Sequence, residues 1–277
     1  MDKRVWFITG ISSGLGKALM KAVVQSGDFA IGTFRQQNQV DEFNSSHKET
    51  AIAVKVDITK PDEIDQALKF IESKFKRIDV VVNNAGFGFA GAIEETSMRE
   101  TREVFEANFF GTLKLTQSVL PLLRKQQSGH IIQISSHGGI KAFPGFGIYN
   151  ASKFALEGFS EALAAEVAPF GIKVTIVEPG PFRTNFAGNS FREARITISE
   201  YNGTAGAFRE RMKQVNGKQE GDPEKAGQAI INIVNSNNPP LRLPLGKVAL
   251  STITSKLESI KRDLESTKQI AENAVYL

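Results

Sequence analysis

The sequence predicts an α/β protein with a doubly wound parallel sheet of about seven strands, helices on both faces, and a single domain over residues 1–277. Three observations predict it. Short apolar runs alternate with helical patterns along most of the chain. A glycine-rich turn joins the first apolar run to the first helical pattern. Polar and turn-forming residues follow several of the apolar runs, at the strand ends where open α/β sheets bind ligands.

The first apolar run, residues 5–9, predicts a buried strand, and a helical pattern begins at Lys17. Between them the chain reads Thr-Gly-Ile-Ser-Ser-Gly-Leu-Gly. Glycine lets the backbone approach a pyrophosphate, whose charge is stabilised by free N–H groups at a helix N-terminus. The pattern therefore predicts a Rossmann-type dinucleotide site. We expect the pyrophosphate to be held by Gly10, Ser12, Ser13, Gly14, Leu15 and Gly16.

The second predicted strand, residues 29–34, is followed by Arg35. In sites for NAD, an acidic residue about 20 residues after the glycines binds the ribose 2′-hydroxyl. Residues 29–40 contain no Asp or Glu. A guanidinium pairs well with a 2′-phosphate, which a carboxylate would repel. We therefore expect NADP(H) as the cofactor, with Arg35 on its 2′-phosphate; the alternative is that Arg35 is a solvated loop residue.

The remaining elements continue the alternation of strand and helix. The apolar runs predict further strands at residues 51–56, 78–82, 129–134, 171–177 and 241–243. Helical periodicity predicts helices at residues 61–75, 97–126, 149–168 and 223–234. The helix over residues 97–126 is interrupted near Asn108 and Gly111. Because Asn108 lies in an apolar stretch, its amide needs hydrogen-bond partners, so it is either a bracing residue or part of a site.

Two further segments lie in the last third of the chain. Over residues 181–221 the apolar pattern thins, and we expect a mobile lid on the substrate site. Residues 245–277 read as a C-terminal helical extension. Its apolar residues form a narrow stripe of coiled-coil type, made of Leu250, Ile253, Leu257, Ile260 and Leu264. We favour packing of this stripe against the body of the protein; a subunit contact and a membrane surface are the alternatives.

The composition limits the classes of function. The chain has 277 residues, enough for one large domain. It has no cysteine, which excludes thiolate catalysis and disulfides and fits a cytoplasmic setting. Its net charge of +4 is spread along the chain, so we expect no nucleic-acid partner. We also expect neither a signal peptide nor an integral membrane segment, because no apolar run is long enough.

Tyr149 and Lys153 are four residues apart on a predicted helix and therefore lie on one face. A phenol loses its proton near pKa ~10, and lowering that pKa by about three units corresponds to roughly 4 kcal/mol. A lysine ammonium one turn away, together with a cationic ring bound nearby, can supply much of this. The pair alone is a weak signal, since two helix residues with unrelated roles often have this spacing.

Several motifs stand in the order of a known family. The glycine turn reads T-G-x-x-x-G-x-G, residues 83–86 read N-N-A-G, and the pair at 149 and 153 reads Y-x-x-x-K. On these motifs the sequence resembles the short-chain dehydrogenase/reductase family over residues 4 to about 185. The resemblance implies four catalytic residues, Asn108, Ser136, Tyr149 and Lys153. Besides the glycine turn and Arg35, it implies cofactor contacts at Asp57, Asn84, Ala85, Gly86, Tyr149, Lys153, Pro179, Gly180 and Thr184.

The resemblance also implies an activity, the interconversion of a ketone or aldehyde and an alcohol by hydride transfer. Tyr149 then gives its proton to the carbonyl oxygen, and Ser136 donates a second hydrogen bond to that oxygen. Lys153 bonds the nicotinamide ribose, and Asn108 positions a water. Members of the family are often dimers or tetramers through the helices of Asn108 and Tyr149, so a homodimer or homotetramer is implied. The alternative function is an NADP(H)-binding sensor without turnover.

The sequence says less about the substrate than about the reaction. Six phenylalanines fall in predicted loops that border the substrate cleft of the family, namely Phe87, Phe89, Phe143, Phe146, Phe182 and Phe186. They predict a hydrophobic or bulky small-molecule carbonyl, aromatic or steroid- or retinoid-like, unless half of them serve only in packing. The three histidines are too scattered for metal-ligand spacing, so we expect no metal. Glu178 stands where the family frequently has Asn, and we expect this departure to matter little.

Overall fold

The computed structural model of the chain describes residues 3–47, 49–188 and 190–276. Nine strands are numbered in chain order: β1 Val5–Ile8, β2 Phe29–Phe34, β3 Ala51–Lys55, β4 Val80–Asn83, β5 Gly88–Ala90, β6 Gly129–Ile134, β7 Ile172–Pro179, β8 Phe191–Glu193 and β9 Arg242–Leu245. Seven of them form one parallel sheet in the order β3-β2-β1-β4-β6-β7-β9. The strand order reverses beside β1, and ligands bind at such a switch point, at the carboxyl ends of the strands.

Within the described residues, nine α-helices connect or flank the strands: α1 Gly14–Gln25, α2 Gln37–Ser46, α3 Pro61–Phe75, α4 Met98–Phe105, α5 Gly111–Gln126, α6 Gly147–Val167, α7 Ala207–Val215, α8 Pro223–Val234 and α9 Lys247–Glu272. Neighbouring residues of β1 point to opposite faces of the sheet, as the pleat requires. Phe7 packs in a core cluster with residues of α3, α5 and α6. Trp6 packs in a second cluster with residues of α1 and α8. Helices therefore cover both faces, and the predicted doubly wound parallel sheet is confirmed.

The expected interruption of the long helix is a π-helical turn, Glu106–Phe110, between α4 and α5. A capping box at Ser97 begins α4, with its hydroxyl accepting from the Glu100 N–H. Gly111 begins α5, and a Cβ there would lie 2.4 Å from the carbonyl oxygen of Ile58. The interruption that the sequence predicted is therefore this π turn, and Asn108 lies on it. Such turns often occur at functional sites.

Several elements were not expected from the sequence. Helix α2 is largely polar, and Val40 is its only buried residue, so it lacks an apolar face. Strands β5 and β8 have three residues each and pair in parallel as a separate two-stranded sheet. The segment 181–221, where the apolar pattern of the sequence thins, contains β8, a π turn at Asn202–Gly206 and α7; Asn189 within it lies outside the described residues.

Helix α9 confirms the predicted C-terminal helix but corrects where its stripe lies. Ala249 is its only buried residue, so only the beginning of α9 packs on the body of the protein. Leu257, Ile260 and Leu264 are exposed in the single chain, which contradicts the favoured packing of the whole stripe against the body. Within the described ranges, no helix combines the length and apolar character that crossing a bilayer requires.

Candidate active site

The glycine turn between β1 and α1 has the shape that its sequence requires. Gly10 and Gly14 have φ of 72° and 61°, in the left-handed region that glycine adopts without strain. A Cβ on Gly16 would lie 2.4 Å from the Gly10 carbonyl oxygen and 2.4 Å from Asn84 Nδ2. The Asn84 amide nitrogen donates to the carbonyls of Thr9 at 2.8 Å and Gly10 at 3.0 Å. The 83–86 segment therefore braces the turn from the neighbouring strand end.

The beginning of α1 leaves backbone donors available for an anion. Ser13 is the N-cap residue, in extended backbone conformation, and its side chain makes no capping hydrogen bond. The first N–H groups of a helix have no acceptor inside that helix. The first turn of α1 contains no acidic residue that would repel an anion. These residues fit the pyrophosphate of a dinucleotide, which needs N–H donors and close backbone approach.

The remaining predicted cofactor residues surround the same edge of the sheet. Arg35 is exposed at the end of β2 and makes no hydrogen bond or ion pair with the other residues that the structure describes. A Cβ on Gly14 would lie 3.4 Å from the Cβ of Thr184, so this threonine faces the glycine turn. Asp57 Oδ1 accepts from the Thr59 N–H at 3.0 Å and thereby holds the turn after β3. Arg35 therefore has a free guanidinium, whereas Asp57 already has a structural partner.

Pro179 and Gly180 shape the carboxyl end of β7. Pro179 is the last residue of that strand and stands opposite Leu245 of β9. The Gly180 N–H donates to the Leu245 carbonyl at 2.9 Å. A Cβ on Gly180 would lie 3.1 Å from the Ala249 nitrogen, so glycine here lets the beginning of α9 come close to the site.

The structure brings three of the predicted catalytic side chains together. Tyr149 and Lys153 lie on successive turns of α6, and Ser136 follows the end of β6. The Lys153 Nζ is 5.9 Å from the centroid of the Tyr149 ring and donates to the Ile134 carbonyl at 2.8 Å. A Cβ on Gly138 would lie 3.2 Å from Ser136 Oγ and 3.7 Å from Tyr149 Cε1, so the serine hydroxyl lies beside the phenol ring. All three side chains are buried, so the cluster is shielded from water.

Burial dominates the protonation of this cluster in the chain alone. It raises the pKa of the Tyr149 phenol above its ordinary value, and the neighbouring Ser136 hydroxyl opposes that rise. Burial also lowers the pKa of the Lys153 ammonium to about 8, against the attraction of Glu157. A lowered phenol pKa was expected from the lysine together with a bound cationic ring. The chain by itself does the opposite, because the lysine does not outweigh the burial of the phenol.

Asn108 is buried on the π turn and has protein partners for its whole amide. Its Oδ1 accepts from the Phe87 N–H at 3.0 Å, and its Nδ2 donates to the Phe87 carbonyl at 3.0 Å and to Ser152 Oγ at 3.2 Å. A Cβ on Gly86 would lie 2.9 Å from Asn108 Oδ1 and 3.9 Å from Lys153 Nζ. Asn108 therefore braces the segment after β4, close to Lys153.

Aromatic rings cover the phenol. Phe146 stacks on Tyr149 with ring centroids 4.2 Å apart, and Phe186 meets the phenol edge-on at 5.7 Å. Phe191 and Phe208, which the sequence analysis did not select, lie 6.0 and 4.9 Å from Phe146. Both come from the segment 181–221, and no local pattern distinguishes them from other phenylalanines.

The other four predicted phenylalanines are divided between packing and surface contacts. Phe89 is buried on β5, in a cluster with Val104, and is not in a loop. Phe182 packs against the core cluster of α1 and α8. Phe143 contacts His137 with ring centroids 5.2 Å apart, and the Arg192 guanidinium lies 4.3 Å from the Phe87 ring centroid. Phe89 and Phe182 therefore match the alternative interpretation, in which some of the six rings serve in packing.

Comparisons with known proteins agree with this geometry. A model of the short chain dehydrogenase family matches residues 4–195. Oxidoreductase BOA17 of Botryotinia fuckeliana is 39% identical over 270 residues, which cover 97% of this chain and 98% of the relative. A 3-ketodihydrosphingosine reductase of Bacteroides thetaiotaomicron is 39% identical over 252 residues, 89% of each chain. The crystal structure of a short-chain dehydrogenase from Streptomyces avermitilis matches with a TM-score of 0.93 at 40% identity, covering 99% of this chain and 100% of that one.

Proposed function

The chain belongs to the short-chain dehydrogenase/reductase family, and we propose that it is an NADP(H)-dependent enzyme that reduces the carbonyl of a hydrophobic compound to an alcohol. The family makes it an NAD(P)-dependent oxidoreductase; the cofactor form and the substrate class are our proposal. The observation that carries the proposal is the buried cluster of Tyr149, Ser136 and Lys153 beside the glycine turn. A protein that only sensed the cofactor would have no physical need for this cluster.

The side chains of the cluster have distinct tasks in this reaction. A bound nicotinamide nucleotide supplies the hydride. Tyr149 donates its phenolic proton to the carbonyl oxygen, where negative charge develops, and Ser136 donates a second hydrogen bond there. The Lys153 ammonium stabilises the phenolate that remains after the proton has left. Asn108 is proposed to position a water near Lys153 while its amide holds Phe87. Alcohol oxidation uses the same groups in reverse.

The rings around Tyr149 support a hydrophobic substrate. Phe146 and Phe186 flank the phenol, and Phe191 and Phe208 extend the same apolar surface. Aromatic walls with a few polar groups are typical of sites for apolar ligands. The relative from Bacteroides thetaiotaomicron, by its name, reduces a ketone on dihydrosphingosine. We therefore propose a ketone on a bulky or long apolar body as the substrate class.

The segment 181–221 is proposed to be the lid of this site, with one fixed part and one that moves. Its fixed part is α7, where Arg209 forms a buried ion pair with Glu95 at 2.6 Å. Its moving part is the stretch around Phe186, whose ring covers Tyr149. Displacement of Phe186 would uncover the phenol for a substrate, and closure of this stretch would then exclude water from the reaction.

A homodimer or homotetramer is also proposed. Phe110 at the end of the π turn and Phe154 on α6 are both exposed in the single chain. Large apolar side chains on the outside of two packed helices favour a subunit contact there. Sedimentation equilibrium measures the assembly directly.

The function is tested by following NADPH consumption with a panel of ketones, aldehydes and quinones, and with NADH in parallel. We expect long-chain or bulky ketones to turn over faster than small polar aldoses or hydroxy acids. Turnover of only the small polar compounds would contradict the substrate class. No turnover on any carbonyl, with NADPH bound, would favour the sensor.

Replacing Arg35 by aspartate should raise the Michaelis constant for NADPH roughly 10- to 100-fold, because a charge-assisted hydrogen bond of about 1.5–3 kcal/mol is lost. The constant for NADH should change much less, since NADH has no 2′-phosphate. Initial rates with each cofactor give the comparison. Arg262→Asp, on an exposed part of α9, is the matched control and should leave both constants unchanged. Equal increases in the Michaelis constants for NADPH and NADH in Arg35→Asp would refute the assignment of Arg35 to the 2′-phosphate.

A further inference from the structure

Glu178, expected to matter little, belongs to a buried cluster of charges behind the catalytic lysine. Its side chain is fully buried at the end of β7. Arg242 of β9 donates from one guanidinium nitrogen, Nη1, to Glu178 Oε1 at 3.0 Å and also to Glu157 Oε2. The other terminal nitrogen, Nη2, bonds Glu161 at 2.9 Å, at the surface. Two buried carboxylates therefore share one donor atom of a single arginine.

Glu157 connects this cluster to Lys153. It is buried one turn after Lys153 on α6, so the two side chains lie on the same face of the helix. The turn after β6 packs on the other side of the carboxylate. A Cβ on Gly139 would lie 2.7 Å from Ser135 Oγ and 3.1 Å from Glu157 Oε1. The carboxylate is therefore enclosed between α6, the 135–139 turn and β9.

Each charged group of the cluster shifts the pKa of its neighbour. The pKa of Lys153 is raised by Glu157, against the larger effect of burial. The pKa of Glu157 is raised by burial, and Ser135, Arg242 and Lys153 oppose that rise. Burial and the charge of Glu157 raise the pKa of Glu178 to about 7, while Arg242 opposes them. Lys153 therefore has Glu157 as its charged neighbour, and Arg242 is one of the groups that favour the ionised form of Glu157.

We propose that Glu157 is the counter-ion of Lys153 and that Arg242 holds its carboxylate in place, which makes Glu157 a positioning residue for proton transfer at Tyr149. The inference rests on the proposed function and adds to it a group outside the four residues implied by the family motifs. An isolated ammonium buried in a protein tends to lose its proton. The nearby carboxylate keeps that proton on Lys153 at neutral pH, where the lysine must be charged to stabilise the phenolate.

Glu178 is a second carboxylate in the cluster, and its charge opposes the ionisation of Glu157. Glu157 Oε1 and Glu178 Oε2 have no hydrogen-bond partner among the residues that the structure describes. Two carboxylates that share one donor repel each other, so their protons are lost as a coupled pair. Removal of the Glu178 charge should therefore leave Glu157 more fully ionised, whereas removal of the Glu157 charge leaves Lys153 without its counter-ion. Removal of the Glu157 charge should therefore lower the pKa of Lys153, whereas removal of the Glu178 charge should not lower it.

The test is the titration of Lys153 in the cofactor-free protein, which does not depend on turnover. The ¹³C shift of the carbon next to the amine is followed with labelled lysine, and the Lys153 signal is assigned by its loss in Lys153→Arg. In Glu157→Gln the midpoint should fall by roughly one pH unit, as expected when a nearby opposite charge is removed. In Glu178→Gln it should stay or rise. In Glu157→Asp, which keeps a carboxylate, it should fall by less than in Glu157→Gln.

Glu161→Gln is the matched control, because it also removes a carboxylate from Arg242 but lies at the surface. The Lys153 midpoint should be unchanged in that variant. If turnover is found, the alkaline limb of the carbonyl-reduction rate should move to lower pH in Glu157→Gln, since loss of an anion lowers the pKa of both Lys153 and Tyr149. An unchanged Lys153 midpoint in both Glu157→Gln and Glu157→Asp would overturn the inference, even in an active enzyme. A shifted midpoint without any turnover would support the counter-ion and refute the proposed function.

Discussion

Replacing Tyr149 by phenylalanine should lower carbonyl turnover by roughly 10²- to 10⁴-fold, the usual contribution of a positioned acid. The substitution removes one hydroxyl and keeps the ring that stacks on Phe146, so the fold should survive. The carbonyl oxygen then loses its proton donor. The measurement is the turnover number with NADPH and the best ketone of the panel, together with NADPH binding followed by its fluorescence.

Binding of NADPH should be retained in Tyr149→Phe, because the glycine turn and Arg35 are unchanged. Tyr201→Phe is the matched control. The Tyr201 hydroxyl donates to Glu94 at 2.7 Å at the surface, so its loss should leave turnover unchanged. Wild-type turnover in Tyr149→Phe would show that another group protonates the substrate and that the account of the site is wrong.

Much of the sheet and the break in the long helix could be predicted because the signals are local. Alternation of apolar runs and helical periodicity located the seven strands of the main sheet, and Asn108 beside Gly111 located the π turn. The pair β5 and β8 could not be predicted in the same way. Gly88 pairs with Phe191, and strands of three residues have too few positions to show a period.

The charged residues of the site also could be predicted only where the signal is local. Tyr149 and Lys153 could be recognised because four residues on a helix make one face. The partners of Glu157 come from β7 and β9, and Arg242 is 85 residues away in sequence. No spacing rule connects residues brought together by two separate strands and a helix. Burial also determined the direction of the Tyr149 pKa, and burial depends on the whole fold.

Arg209→Met should destabilise the protein by about 3 kcal/mol, because removal of one partner leaves a buried carboxylate without its counter-charge. Arg209 bonds Glu95 through two nitrogens, at 2.6 and 3.3 Å, with both side chains buried. Glu95 keeps its hydrogen bonds from the N–H groups of Ala92 and Ile198, so the loss should be at the low end for a buried pair. The measurement is thermal unfolding, where a lowering of Tm by roughly 5 °C is expected. Arg211→Met, an exposed position on the same helix, is the control and should be near neutral.

The pH dependence identifies the ion pair as the cause. The Arg209 guanidinium lowers the pKa of Glu95 to about 2, from an ordinary value of 4.5. A carboxyl with a lowered folded-state pKa contributes stability that is complete above the unfolded value and is lost as the pH falls through the folded one. The difference in unfolding free energy between wild type and Arg209→Met should therefore be largest near neutral pH and shrink as the pH falls from 4.5 towards 2. A difference that stays constant over this range would mean that lost packing, not lost charge, destabilises the variant. Adding Glu95→Gln should then give no recovery, whereas an ion-pair origin requires the neutral glutamine to restore part of the stability.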